Sequence, residues 1–353
     1  MNFEQITILY CQSRRKGEEM RQDREELLRK LEAVSAGLAV KEAVEQSSCF
    51  VFKGGHVVTF NDEVSCDIEC EIGFEGAVAA TPLLNLLGKL AEKEIDVSVA
   101  NGEVLVKGKG RRAGITLEAE IMLPIDAVEK PEDWNRLNPE FADAIGVVQE
   151  CASKNANNFH LTCVHITSEY VEACDNFQLC RYPIDTPCIE NDCLVKRDSI
   201  KHIAGLGMTE MCVTKTWLHF RNPSGLVLSV RREISDYEDL DKILSTDGTP
   251  TTLPGGLAEA VEKAEIFSAE NSENNVVLVE LRKDQLRLRG VGVNGWYEER
   301  KDVKWSGGPL SFNIAPKLLV SITERTNDCL VAPGLLKIDS GKFIFVTCIG
   351  KVE

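Results

Sequence analysis

The stretches Leu27–Val34 (LLRKLEAV), Phe141–Val148 (FADAIGVV) and Leu257–Ala264 (LAEAVEKA) carry one amphipathic pattern three times. Apolar residues recur at i, i+4 and i+7 or nearby, which places them on one face of a surface helix. The three starts lie 114 and 116 residues apart. Because self-similarity at a fixed period marks a repeated structural unit, we expect three copies of one unit.

A second helix pattern recurs in the same phase, at Ala80–Leu90, Val195–Leu206 and Ile314–Thr323. Two of these copies begin with proline in the first turn, a helix-start signal. Strand-like runs surround each second helix, and the turn Asn101-Gly102 is typical of a hairpin. The runs are Cys49–Lys53, Val57–Asn61, Glu63–Ile72, Ile95–Val99, Val104–Lys107, His160–Thr167, Tyr170–Cys174, Gln178–Ile184, Met211–Thr214, Trp217–Arg221, Leu226–Arg231, Val276–Leu281, Gln285–Gly290, Glu298–Val303, Cys329–Val331, Leu335–Asp339 and Lys342–Cys348.

The predicted fold class is α+β, with three repeated helix–strands–helix–strands domains. In each domain two helices pack on one face of an antiparallel sheet. The predicted bounds are 1–126, 138–245 and 254–353, and the segments Asp126–Asn138 and Ser245–Pro254 are predicted linkers because they hold turn formers. The basic run Ser13–Lys16 and the stretch up to Arg24 are interpreted as an exposed helical extension of the first helix.

Composition indicates a soluble globular protein, since 43% of the 353 residues are hydrophobic and 27% are charged. No run of 18 apolar residues predicts a membrane span, and the start lacks signal-peptide features, so we expect a cytoplasmic protein. The 13 cysteines are scattered without a CxxC pair. In a reducing compartment they are interpreted as small buried apolar residues, and neither a metal nor a cofactor is expected.

No catalytic constellation is visible in the sequence. The five histidines form no HExxH motif, and neither a GxSxG elbow nor a GxxxxGK[ST] phosphate loop occurs. We therefore predict that the protein is not an enzyme. An enzyme with an unrecognised cysteine nucleophile stays open as an alternative, which a thiol-labelling time course would reveal.

Net charge alone argues against a nucleic-acid binder, because 40 basic residues face 56 acidic ones and give −16. The positions of the basic residues are more compatible with nucleic-acid binding than the net charge, because basic residues recur on both sets of helices. If those helices faced a common side, they would suit a phosphate backbone without reading sequence; glutamates on the same helices make ordinary solvated faces an equal alternative. The candidate DNA-facing residues are Arg24, Arg29, Lys30, Lys89, Lys93, Lys154, Lys196, Arg197, Lys201, Lys263, Lys317 and Arg325.

Four stretches in order resemble the bacterial-type DNA sliding clamp, the beta subunit of DNA polymerase III. They are Arg24–Val34 (REELLRKLEAV), Ala173–Leu179 (ACDNFQL) with Tyr182-Pro183-Ile184, Ile234–Leu240 (ISDYEDL), and Ser311-Phe312-Asn313 before Ala315–Leu319. The resemblance runs from about Arg24 to Cys348. Departures from the family pattern, such as Asn176-Phe177-Gln178 for Gly-His-Arg and Ser235 for proline, fit a diverged member such as one from a phage or mobile element.

The resemblance implies a non-catalytic processivity factor. Two chains would form a head-to-tail homodimer, a six-domain ring around double-stranded DNA that tethers a DNA polymerase and is opened by a clamp loader. The contact between chains would join strand Val104–Lys107 and its flanks to strand Val276–Leu281 or helix Lys317–Thr326. The alternative is a clamp-fold regulator or decoy that binds clamp partners without encircling DNA.

The resemblance also implies a hydrophobic pocket that binds short partner peptides containing glutamine, leucine and phenylalanine. An apolar groove with a few polar groups at its rim suits an extended peptide. Carried over position by position, the pocket comprises Cys174, Asn176, Phe177, Gln178, Leu179, Ser235, Leu240, Val346 and Cys348, with Ile349 as a further neighbour.

Overall fold

A computed structural model describes residues 20–154, 157–270, 275–305 and 307–348. The chain divides into two compact units. The first contains the chain up to Arg136 together with Gly205–Arg231, and the second contains Leu137–Ala204 together with the chain from Arg232 onward. The three-domain bounds stay a prediction beside this division.

The described residues contain seven α-helices, and the three amphipathic stretches are all helical, as predicted. The helices are Arg24–Val34, Ala80–Lys89, Phe141–Val148, Arg197–Ile200, Asp241–Leu244, Leu257–Ser268 and Pro316–Thr323. Short 3-10 turns lie at Ser35–Gly37, Ile125–Ala127, Gln149–Cys151, His160–Thr162 and Lys201–Ile203.

Paired helices recur along the chain in the predicted phase. Helix Arg24–Val34 packs against Ala80–Lys89 in the first unit, and Leu257–Ser268 packs against Pro316–Thr323 in the second. The middle pair is shorter than predicted: only Arg197–Ile200 is α-helical within Val195–Leu206. Gly205 and Gly207 follow with positive φ of 77° and 63°, a backbone that ends a helix rather than continuing it.

The predicted helical extension before Arg24 is wrong for the described part of that stretch. Met20–Asp23 is a strand paired with Glu94–Val97. The helix begins only after Asp23, whose Oδ1 accepts hydrogen bonds from the backbone N–H groups of Glu25 and Glu26, each at 3.0 Å, and so caps the first turn. The run Ser13–Lys16 lies outside the described residues.

Twenty-four strands in the described residues pair antiparallel throughout, which confirms the α+β class. They are β1 Met20–Asp23, β2 Cys49–Lys53, β3 His56–Phe60, β4 Val64–Glu69, β5 Gly76–Ala79, β6 Glu94–Ala100, β7 Glu103–Gly108, β8 Arg111–Glu118, β9 Asn135–Arg136, β10 Cys163–Ile166, β11 Tyr170–Cys174, β12 Gln178–Pro183, β13 Cys193–Lys196, β14 Glu210–Val213, β15 Trp217–Arg221, β16 Val227–Arg231, β17 Thr249–Thr252, β18 Val277–Arg282, β19 Gln285–Val291, β20 Trp296–Asp302, β21 Leu310–Ile314, β22 Asp328–Ala332, β23 Leu335–Asp339 and β24 Ile344–Cys348.

Each unit builds its own sheets. The first unit holds one sheet of 12 strands in the order β1-β6-β7-β8-β5-β2-β3-β4-β16-β15-β14-β9. The second unit holds a sheet of eight strands, β13-β10-β11-β12-β24-β23-β22-β17, and one of four, β20-β19-β18-β21. The eight-stranded sheet therefore joins strands near residue 170 to strands near residue 345.

Both predicted linkers contain an edge strand, which is a correction. Strand β17 lies within Ser245–Pro254, and β9 lies within Asp126–Asn138. Each is the last strand of its sheet. An edge strand tolerates Pro250 because one of its sides has no strand to receive a ladder hydrogen bond, so turn-forming composition concealed a strand there.

The turn at Asn101-Gly102 is the hairpin that its sequence predicts. Both residues have positive φ, 56° and 77°. That backbone is the mirror-image turn that matches the twist of flanking strands, and glycine adopts it without steric cost. It joins β6 to β7 in a regular antiparallel ladder.

Within the described residues no helix is long and apolar enough to cross a membrane.

His219 gives the first unit a defined pH response. Its ring is fully buried and bonded to Ser229 Oγ at 2.7 Å and Thr214 Oγ1 at 2.9 Å. Burial lowers the pKa of His219 to about 4, and the Glu129 carboxylate opposes that shift. Between about pH 6.5 and 4 the unfolded chain therefore holds a proton that the folded chain lacks, so stability falls as pH falls.

We expect His219 to lower the free energy of unfolding by up to about 3 kcal/mol between pH 7 and pH 4. Urea unfolding at several pH values measures this for the wild type and for His219→Gln, which keeps a donor and an acceptor. Below pH 6.5 the free energy of unfolding should fall less steeply with pH in the variant than in the wild type. The part of the fall that comes from carboxylates should stay in both proteins. Equal slopes in both proteins would contradict the prediction.

Candidate partner-binding site and basic helix faces

The candidate partner site forms where β12 pairs with β24. Leu179 of β12 lies opposite Cys174 of β11 on one side and opposite Val346 of β24 on the other. Directly opposed residues of neighbouring strands share a face of the sheet. Three predicted pocket residues from distant parts of the sequence are thus neighbours in one row.

A segment from the end of the middle repeat covers this row. Leu240 and Leu244 pack on it, and both are buried. Together the five residues form what we call the apolar cluster, defined as Cys174, Leu179, Leu240, Leu244 and Val346. Partly buried side chains surround it: Leu161, Tyr237, Leu335 and Ile344.

Tyr237 fixes the covering segment to the sheet. Its hydroxyl oxygen accepts a hydrogen bond from the Cys174 backbone N–H at 2.9 Å and donates to Cys174 Sγ at 3.3 Å. Its ring stacks on His165 with centroids 4.8 Å apart. The covering segment is therefore held by specific polar contacts as well as by apolar packing.

A row of charged residues lies on the same face of the sheet, two residues along the strands from the row of Cys174, Leu179 and Val346. The buried Glu172 carboxylate accepts hydrogen bonds from His165 Nδ1 at 2.8 Å and from Arg181 Nε at 2.7 Å. Arg181 also donates to Asp241 Oδ1 at 2.6 Å, at the start of the helix that carries Leu244. The buried charge is fully paired, which a carboxylate in an apolar setting requires.

The other predicted pocket residues form the rim. Asn176, Phe177 and Cys348 are exposed, with Phe177 at 69%, while Gln178 and Ser235 are half-buried. The Phe177 carbonyl accepts the Cys348 backbone N–H at 2.6 Å, so the turn between β11 and β12 is bonded to the end of β24. Ile349 lies outside the described residues.

The residues that the sequence analysis missed had weak signals. Leu244 follows Leu240 by four residues, a helical spacing. Tyr237 lies inside the quoted stretch ISDYEDL. Leu161, Leu335 and Ile344 reach the cluster only through the strand order of the sheet, which no local pattern encodes.

Most cysteines lie in the core. Of the twelve in the described residues, ten are buried. Burial raises the pKa of Cys66 to about 12 and that of Cys70 to about 11, so these thiols stay protonated at neutral pH. No group of three His, Cys, Asp or Glu side chains within the described ranges is placed to hold a metal ion.

Most candidate DNA-facing residues are solvent-accessible. Exposed ones are Arg29, Lys89, Lys93, Lys154, Lys201, Lys263, Lys317 and Arg325, and half-buried ones are Lys30 and Lys196. Several of them already hold an acidic neighbour. These ion pairs are Lys30–Glu26 at 3.2 Å, Lys201–Asp198 at 2.9 Å, Lys263–Glu299 at 3.6 Å and Arg325–Asp143 at 2.7 Å.

Arg24 and Arg197 differ from the rest, because packing occupies their guanidinium groups. Arg24 donates to the carbonyls of Glu92 at 2.8 Å and Leu87 at 3.2 Å. Arg197 donates to the Ala152 carbonyl at 2.9 Å and to Glu150 at 3.0 Å. With side chains only 12% and 11% exposed, these two do not present a free guanidinium to a ligand.

A cavity of about 410 Å³ lies between the helices of the second unit. Lys317 lines it together with three carboxylate residues, Glu150, Glu262 and Glu265. The acidic neighbours weaken the positive potential around Lys317. The helix faces are therefore mixed in sign rather than uniformly basic.

The fold is that of the DNA sliding clamps. A DNA polymerase III subunit beta from Pseudomonas aeruginosa shares 16% identity, with 95% of this chain and 100% of that chain covered at a TM-score of 0.72. A sliding clamp from Bartonella birtlesii shares 15% identity, with 95% of this chain and 99% of that chain covered at a TM-score of 0.73. The beta subunit from Thermotoga maritima also shares 15% identity, with 95% of this chain and 100% of that chain covered at a TM-score of 0.70. The fold expected from the resemblance is thus confirmed over nearly the whole chain.

Neither a protein-family model nor a curated protein matches the chain.

Tyr237→Phe tests how the covering segment is held. Removal of the hydroxyl leaves the Cys174 N–H without its acceptor, so we expect the free energy of unfolding to fall by about 1–3 kcal/mol. Chemical denaturation measures the change. Tyr297→Phe is the matched control, since among the described residues that hydroxyl bonds to the half-buried Glu299 side chain and to no backbone N–H. Equal effects in the two variants would mean that the Tyr237 bond contributes nothing specific.

Proposed function

We propose that the protein is a non-catalytic DNA sliding clamp. The observation that carries the proposal is the clamp fold, matched over 95% of the chain. Two chains would close a head-to-tail ring around double-stranded DNA and tether a polymerase and a clamp loader through the exposed rim of the apolar cluster, since the five cluster residues are themselves buried. Such retention is topological, so it needs no strong phosphate site.

Two strand edges support ring closure. Residues 111–116 of β8 pair only with β7, and β20 pairs only with β19, within the part of the chain that the structure describes. An edge strand presents unpaired backbone groups to another chain. Strands Val104–Lys107 and Val276–Leu281 of the expected contact each lie between two paired neighbours and offer no free edge, whereas β8 is a flank of Val104–Lys107. The alternative contact through helix Lys317–Thr326 stays a prediction.

An apolar patch adjoins the β20 edge. Val291 and Trp296 lie directly opposite each other and are 52% and 59% exposed, and Val293 in the adjoining turn is 85% exposed. Contiguous exposed apolar surface is typical of a protein interface, so the second chain would bury this patch.

The ring proposal predicts a dimer that depends on this patch. Light scattering over a dilution series should give twice the 39.1 kDa chain mass. Val293→Glu with Trp296→Glu should shift the mass to that of one chain, because two charges would be buried without partners. Val40→Glu, at a fully exposed apolar residue of the first unit, is the control and should leave the dimer intact.

DNA retention tests enclosure directly. The chain is diluted until the dimer opens and then concentrated with a nicked circular plasmid, so that rings close around DNA. Gel filtration in 0.3 M salt should retain protein on the circle, and cutting the plasmid once should release it. Equal release from circular and linear DNA would contradict enclosure.

The regulator alternative predicts a different combination of results. A chain that stays monomeric at high concentration and still binds partner peptides would favour it. The altered rim, with Asn176-Phe177-Gln178 and Ser235, motivates this alternative.

A further inference from the structure

The segments around the apolar cluster carry excess negative charge. Residues 172–181 and 234–244 hold six carboxylates against two cations, Arg181 and Lys242. The carboxylates are Glu172, Asp175, Asp236, Glu238, Asp239 and Asp241. A ligand of this surface therefore meets a negative field before it meets the apolar residues.

Two half-buried cations beside the cluster are already occupied. Arg181 binds both Glu172 and Asp241. Lys337 lies opposite Val346 in the sheet, and its Nζ donates to the carbonyls of Leu244 at 2.6 Å and Thr246 at 3.3 Å. These cations stabilise the covering segment and do not neutralise the charge of its exposed carboxylates.

Three carboxylates project from the covering segment into solvent. Asp236, Glu238 and Asp239 are exposed, whereas Tyr237 among them packs against the apolar cluster and Leu240, which follows them, belongs to it. Across the described residues, none of the three carboxylates takes part in an ion pair. They are therefore available to a charged ligand.

Apolar side chains stand beside these carboxylates. Ile234 and Ile243, toward the two ends of the covering segment, are 62% and 42% exposed, and Phe177 in the turn between β11 and β12 is 69% exposed. An extended peptide that laid apolar side chains on these residues would bring its neighbouring side chains against Asp236, Glu238 or Asp239.

The Cys174 thiol reports the same negative field. Burial is the largest cause that raises the pKa of Cys174 to about 11; the Tyr237 hydrogen bond opposes it, and the carboxylates of Glu172, Asp175 and Glu238 raise it further.

We propose that this surface selects linear partner peptides in which lysine or arginine flanks the apolar anchor residues. The inference rests on the proposed partner-binding function and specifies its ligand. Opposite charges at an interface raise the association rate and reject like-charged competitors. Acidic peptides and nucleic acid would be disfavoured at this surface.

Two synthetic peptides test the proposal on the full-length chain. Both contain the same core of glutamine, leucine and phenylalanine; one is flanked by two lysines on each side and the other by two glutamates on each side. Fluorescence anisotropy at 50 mM and 300 mM salt gives each Kd. We expect the lysine peptide to bind about tenfold more tightly at low salt, and the ratio to shrink at high salt as charges are screened.

Variants assign the effect to the three rim carboxylates. D236N/E238Q/D239N should reduce the preference to about threefold or less while retaining the glutamate peptide. The matched control E42Q/E45Q/E120Q removes three exposed carboxylates from the first unit and should leave the preference unchanged.

The outcomes separate the two proposals. Equal, salt-independent affinities, or tighter binding of the glutamate peptide, would overturn the charge selection and leave the pocket standing. Binding of neither peptide would overturn both. Loss of the preference in the control variant as well would assign it to the net charge of −16 rather than to the rim.

Discussion

The antiparallel pairing of Gln178–Arg181 with Ile344–Thr347 is the constraint on which the site depends. It brings together residues more than 160 positions apart and fixes their register. A shift of β24 by one residue would turn Val346 to the other face of the sheet, away from Leu179. The apolar row depends on this register, and the pairing of β10, β11 and β12 places the charged row on the same face.

The two rows serve the covering segment in different ways. Leu240 and Leu244 gain burial on the apolar row, which is favourable but nondirectional. Arg181 instead bonds both Glu172 within the sheet and Asp241 within the segment, a pairing that few alternative positions of the segment could satisfy. Apolar burial thus supplies attraction, and the charged row selects one placement.

Much of the repeat was predictable, because the spacing of apolar residues in an amphipathic helix is visible within a short stretch of sequence. Phe141–Val148 was placed with its observed bounds, and strands such as Tyr170–Cys174 were as clear. Strands with turn-forming residues were missed: Pro250 concealed β17. The pocket was inferred by resemblance; its remaining members, such as Leu335, depend on strand order. Arg24 and Arg197 looked like surface cations because a sequence does not record which carbonyl a guanidinium reaches.

A net charge of −16 is compatible with a ring that encloses DNA if the helix faces bind phosphate weakly. Lys201, Lys263 and Arg325 each have an acidic neighbour, so a phosphate must compete with a carboxylate for each cation. Every phosphate that a protein neutralises releases counterions and adds to affinity, and tight contacts would slow movement along the duplex. In the proposed ring, closure at β8 and β20 retains the DNA. The partly neutralised helix faces then bind phosphate only weakly, which favours sliding. The acidic residues around the apolar cluster favour basic partners.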